Sequence, residues 1–259
     1  VKSIDSDAFN GCNNLKDIVI PYSIRRIKEK AFFECSELKE VSFEENSTLL
    51  SIGANAFNDC QTLGEIHIPP SVMYINNLAF INCTNLAKVT FDVNSKLQSI
   101  GSSAFKGCSK LSKIHFPPSL KTIGDFAFVS CKKLASVTFD NGSTLREIGS
   151  ASFRLCTKLN EIQIPSSVKV IGDSTFSECS QFFGCCSLKT IVFGENSLLT
   201  SIGSLAFKGC SNLKMINVPP LVKSIGDSIF IDCTNLKELD ITSPIQKLGS
   251  KSFKGCTHL

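Results

Sequence analysis

A phenylalanine followed three residues later by a cysteine recurs along this 259-residue chain, nearly always at offsets of 23 or 25 residues. The phenylalanines are Phe9, Phe32, Phe57, Phe80, Phe105, Phe128, Phe153, Phe176, Phe207, Phe230 and Phe253. Cys12, Cys35, Cys60, Cys83, Cys108, Cys131, Cys156, Cys179, Cys210, Cys233 and Cys256 accompany them. Such fixed-period self-similarity commits a chain to a solenoid, because each unit is too small to bury an apolar face without its neighbours. The unit is clearest over 99–120, where Ile100 and Gly101 lead to Phe105, Cys108, Leu111, Ile114 and Phe116 and close on Pro117. Residues 1–259 are therefore read as one solenoid domain of about eleven 23/25-residue repeats. Both ends fall in mid-repeat, so a piece of a longer chain is expected.

The spacing of three predicts that Phe and Cys share one side of a tight helical or 3₁₀ turn. After it, Leu63, Ile66 and Ile68 (repeated as Leu159, Ile162 and Ile164) end on two apolar residues two apart, the mark of a strand with one buried face. Val19, His67 and Gln163 then point the other way. Stacking repeats gives a parallel sheet with strands about 4.8 Å apart. A second apolar pair, such as Val72 and Ile75 or Leu97 and Ile100, closes the coil, and glycine usually follows it (Gly53, Gly101, Gly124). That glycine implies either a special backbone angle or a close approach. Connections after the strand alternate between a short type (Pro69-Pro70-Ser71) and a long one, so the true period is a pair of coils. Asn46, Asn94, Asn196 and Gly142 mark the long type, and a positive φ is expected at all four.

The run Ile-Gly-x-x-Ala-Phe-x-x-Cys-x-x-Leu-x-x-Ile-x-Ile-Pro resembles the BspA-type (Treponema pallidum-type) leucine-rich repeat, in register over the whole chain. Departures are Ser152, Thr175, Ile229 and Ser252 in place of alanine, Leu248 in place of isoleucine, and a six-residue insert at 180–185. The resemblance implies an α/β, β-rich leucine-rich-repeat solenoid. Its coils would form a curved right-handed stack with a parallel β-sheet on the concave face, and short helical or 3₁₀ turns and extended segments on the convex side. It also implies a non-enzymatic protein-binding or adhesion module, at the cell surface or secreted, that contacts host or matrix proteins. The alternative is a cytoplasmic scaffold for protein–protein interaction with the same fold.

The remaining residues sharpen this. A net charge of +4 with no basic block argues against nucleic acid. No apolar run approaches the roughly 18 residues of a membrane span. No nucleophile elbow, zinc-binding helix or phosphate-cradling loop is present, so neither catalytic residues nor a metal or cofactor is expected. His67 and His115 lie two coils apart, roughly 10 Å, too far for one ion. The cysteine column reads as small buried apolar side chains, while the adjacent Cys185 and Cys186 leave a local disulfide open. The candidate partner-binding face comprises Lys39, Glu40, Glu65, His67, Lys88, Thr90, Lys113, His115, Thr138 and Gln163. Phe182 and Phe183 of the insert are the candidate rim loop. Sequons at Asn46, Asn82 and Asn141 fall in expected loops. Uncapped ends would also allow end-to-end self-association.

Overall fold

Alternation along Glu65-Ile66-His67-Ile68 buries both isoleucines and exposes Glu65 and His67, and this two-residue period makes each repeat contribute a strand. The structure, a computed structural model, describes residues 2–177, 187–241 and 244–259. Ten four-residue strands, from Asp17–Ile20 to Glu238–Ile241, form the broad side of the coil. Eleven two-residue strands, from Ser3–Ile4 to Lys247–Leu248, form a narrow side. All pairing is parallel. The narrow strands make one continuous eleven-stranded sheet in coil order.

The broad side is not continuous. Asp17–Ile20 pairs over four residues with Glu40–Phe43, as do Glu65–Ile68 with Lys88–Phe91 and Lys113–Phe116 with Ser136–Phe139. Between these pairs the register shrinks to Glu40↔Glu65 and Val41↔Ile66, then to Lys88↔Lys113 alone. Among the described residues none joins Ser136–Phe139 to Glu161–Ile164 or Thr190–Phe193 to Met215–Val218. Proline supplies the reason. Within a pair, the residue after the second strand donates back to the first: Glu44 N to Ile20 O, Asp140 N to Phe116 O and Gly194 N to Ile164 O, at 2.9–3.1 Å. Between pairs that donor position is Pro69, Pro117, Pro165 or Pro219, which has no N–H to give. The alternating connections seen in the sequence thus become alternating closed and open joints in the sheet.

The Phe-x-x-Cys segments are not helical or 3₁₀ turns, which corrects the expectation. In one representative coil, Ala104, Lys106 and Cys108 donate within their own coil, to Gly101, Ser103 and Phe105. Their neighbours Ser103, Phe105 and Gly107 donate instead to Asp125, Ala127 and Val129 of the next coil. A helix would keep every such bond inside the segment. Sending every second N–H along the stack needs left-handed residues two before and two after the phenylalanine, and Ser103 (φ 56°) and Gly107 (φ 78°) are such a pair. Of the four long connections, Asn46, Gly142 and Asn196 adopt positive φ and Asn94 does not.

Inside, buried residues from Ile20 to Leu236 form one hydrophobic cluster. The eleven phenylalanines stack as a single file, successive centroids 5.0–5.8 Å apart and ring planes within 13°. Each offset-stacked pair adds about 0.5–1.5 kcal/mol to plain burial. The cysteines are not mere space-fillers. Cys60, Cys83, Cys108 and Cys131 donate Sγ–H to the phenylalanine carbonyl of the preceding coil at 3.1–3.2 Å, tying coil to coil. Cys12 is exposed and Cys256 half-buried, so the buried-column expectation fails at these two. The glycine question is also settled. A Cβ on Gly124 would lie 2.7 Å from the carbonyl carbon of Gly101 and the nitrogen of Ser102, so close approach of coils excludes a side chain there.

Candidate functional site

Ten coils project the first and third residues of each broad strand outward, and every residue of the expected partner face stands there or just before the strand. Glu65 meets Lys88 at 3.5 Å in the next coil, but both side chains are more than half exposed, so this pair contributes little. The histidines are more organised than the sequence suggested. His67 Nδ1 lies 2.9 Å from Thr90 Oγ1 and Nε2 3.3 Å from Asp92 Oδ2. His115 repeats this on Thr138 at 2.8 Å and Asp140 at 2.9 Å. A carboxylate only accepts, so Nε2 donates to the aspartate, and in the neutral ring Nδ1 then accepts the threonine hydroxyl. Each imidazole thereby clasps the second coil of its pair.

The open joints become grooves in this face. One, of about 360 Å³, follows Pro69 and is lined by Glu40, Ser42, Glu65, His67, Lys88 and Thr90. The other, of about 490 Å³, follows Pro165; its walls are Ser136, Thr138, Asp140, Asn141 and Ser143 against Glu161, Gln163, Ser166, Thr190 and Val192. Five expected residues (Glu40, Glu65, His67, Lys88 and Thr90) thus meet in the first groove, and Thr138 and Gln163 in the second. Lys39, Lys113 and His115 line neither. Sequence reasoning missed Asp92, Asp140 and the polar wall of the second groove. The signal was there: His-x-Pro followed by Thr-Phe-Asp occurs at 67–92 and again at 115–140.

Phe182, Phe183, Cys185 and Cys186 lie outside the described residues. The sequon asparagines Asn46, Asn82 and Asn141 are all exposed. Among the described residues, no three His, Cys, Asp or Glu side chains could hold a metal ion. No helix among them is long and apolar enough to cross a membrane.

Comparison with known proteins agrees with this geometry. The model of the BspA type leucine rich repeat region matches six copies across residues 2–96, 90–182 and 180–259. A leucine-rich repeat protein from Treponema pallidum is 29% identical with a TM-score of 0.55, the match covering 76% of this chain and 83% of that one. One from Bacteroides ovatus is 27% identical at a TM-score of 0.50, covering 100% and 81%. The pneumococcal vaccine antigen PcpA shares the fold at 24% identity and a TM-score of 0.58, covering 97% and 75%. No curated protein matches. Phenylalanine file, cysteine ties, alternating coils and family model coincide over the same residues, and the chain belongs to the BspA-type leucine-rich repeat family.

Proposed function

We propose that this chain is a non-enzymatic protein-binding module of the adhesive kind, working at a cell surface and contacting a host or matrix protein. In this reading residues 1–259 act as one elongated body, and the broad-strand face is its concave, partner-facing side. The observation that carries it is the outward file of polar and mixed-charge side chains, interrupted by two grooves that bring its members together. A repeated, exposed surface suits contact over many coils rather than chemistry at one point. Lys39, Glu40, Glu65, His67, Lys88, Thr90, Lys113, His115, Thr138 and Gln163 are its assigned contact residues.

A photo-crosslinking residue at Thr90 or Gln163 tests the reading, with Ser99 and Ser201 of the narrow sheet as controls. With host-cell surface or matrix extract, adducts should form from the broad face and not from the controls. Adducts from the narrow sheet alone would sink the assignment. The alternative is an intracellular scaffold with the same fold, and the buried thiols of the cysteine column suit either compartment. Glycan on Asn46 or Asn141 of the native protein would decide for the surface.

A further inference from the structure

The narrow side carries a pattern that the linear sequence hides. The residue before each narrow strand hydrogen-bonds its counterpart one coil back. Arg146 N donates to Lys121 O, Lys169 N to Arg146 O, Thr200 N to Lys169 O and Lys223 N to Thr200 O, all at 2.8–2.9 Å. Cations scattered through a hundred residues of sequence therefore stand in single file: Lys121, Arg146, Lys169 and, past Thr200, Lys223. Lys247, beside Ser224 in the adjoining file, prolongs the row. All five are exposed, and the five coil steps from Lys121 to Lys247, of about 4.8 Å each, make the row about 24 Å long.

Little opposes this charge. Over the same coils the adjoining file runs Thr122, Glu147, Val170, Ser201 and Ser224, with one carboxylate. Farther along each coil, Asp125, Asp173 and Asp227 are anchored away from the row, each accepting a backbone N–H from Ser150, Ser204 or Ser250 at 2.6–2.7 Å. Lys121 reaches Gln98 Oε1 at 3.2 Å, and none of the five forms an ion pair with a described carboxylate. Like charges one coil apart repel, and a polyanion laid along the row relieves them. The narrow sheet is also the continuous one, so the spacing of the row is held by an unbroken ladder.

We propose that Lys121, Arg146, Lys169, Lys223 and Lys247 form a docking track for a linear sulfated polysaccharide, on a face separate from the protein-binding one. A sulfated sugar chain presents acidic groups repeatedly along its length and so can meet the row at successive coils, passing over the gap at Thr200. Duplex DNA carries a charge per ~1.7 Å of axis on two strands and calls for a wider basic surface. Single strands call for aromatic platforms, and the adjoining file offers none over these coils.

The test is binding of a heparin-derived oligosaccharide, followed by fluorescence anisotropy across a salt series. A row variant (Lys121, Arg146, Lys169 and Lys223 each →Ser) is compared with a control losing four exposed lysines elsewhere (Lys106, Lys132, Lys158 and Lys254 each →Ser), after circular dichroism confirms that both fold. Binding by the row variant should weaken at least about tenfold, and its salt slope should fall by about 3 units, a little under one for each of the four lost contacts. The control should stay within about threefold. The proposal is overturned if intact protein does not bind, if both variants lose equally, or if desulfated oligosaccharide binds as well. Tighter, row-dependent binding of DNA would overturn it too and give the row to nucleic acid.

Discussion

Replacing Phe105 by alanine removes an inner rung of the phenylalanine file. Its ring is fully buried and lies 5.2 Å from Phe80 on one side and 5.2 Å from Phe128 on the other, the planes within 7°. Large-to-small changes at a buried phenylalanine cost about 3–5 kcal/mol. Losing two stacked partners, at about 0.5–1.5 kcal/mol each, places Phe105→Ala in the upper half of that range. Phe9→Ala removes a half-buried ring with one partner, Phe32 at 5.0 Å, and should cost about half as much. Urea unfolding by circular dichroism measures both. Because coupling in a solenoid is between neighbours, Phe105→Ala should also divide unfolding into two steps, whereas Phe9→Ala should fray one end. A double-mutant cycle with Phe128→Ala should return a coupling of about 1 kcal/mol. Equal costs at Phe105 and Phe9, or additivity between Phe105 and Phe128, would refute the file as a cooperative element.

Gly124→Ala should destabilise by about 1–3 kcal/mol, since two backbones must part to admit the Cβ, while Gly64→Ala, with open space around it, should stay within about 0.5 kcal/mol in the same unfolding assay. Ser152→Ala should stabilise by about 1 kcal/mol, because its hydroxyl is fully buried with no partner and alanine fills that position in most coils. Burial pushes the Cys35 thiol up to about 11, and Cys60, Cys83 and Cys108 higher still. Below the ordinary 9.0 both folded and unfolded chains keep these protons; above it the unfolded chain ionises first, so stability should fall by up to about 1.4 kcal/mol per pH unit for each thiol. Melting temperature between neutral pH and pH ~10.5 should thus fall less steeply in a Cys83→Ser/Cys108→Ser variant. Iodoacetamide at neutral pH should label Cys12 in the folded protein and spare Cys35 to Cys131 until it unfolds, as read by mass spectrometry.

Much of the fold is written in residue type. Phe, Leu and Ile columns declare the core, and the proline and asparagine connections declare two kinds of coil. What stayed hidden depends on where backbone groups point. A spacing of three fits a helical turn, and the left-handed positions that rule it out are filled by residues with no such preference, among them Lys30, Leu78, Phe126 and Leu205. Gly11, Gly107, Gly209 and Gly255, the asparagines Asn55 and Asn82 and the aspartates Asp7, Asp59 and Asp232 hint at them. Cysteine reads as a small apolar residue, and its donor role appears only once a carbonyl from the coil before is in reach. His67 and His115 were legible as exposed, but not as clasped, because Asp92 and Asp140 sit past the strand's end. The cationic row is invisible in sequence for a related reason: 23 to 54 residues separate its successive members.

The missing proline donors bear on how the molecule bends. One flank of every coil is stitched to the next through all eleven rungs, while the opposite flank, among the described residues, is stitched over four residues within each pair and over two, one or none between pairs. Such a body behaves like a bound book: the stitched flank is its spine, and the leaves can fan apart at Pro165 and Pro219, where no strand pairing joins them among the described residues. A visitor arriving on the fanned edge can be accommodated by small rotations about the spine without breaking a single stitch.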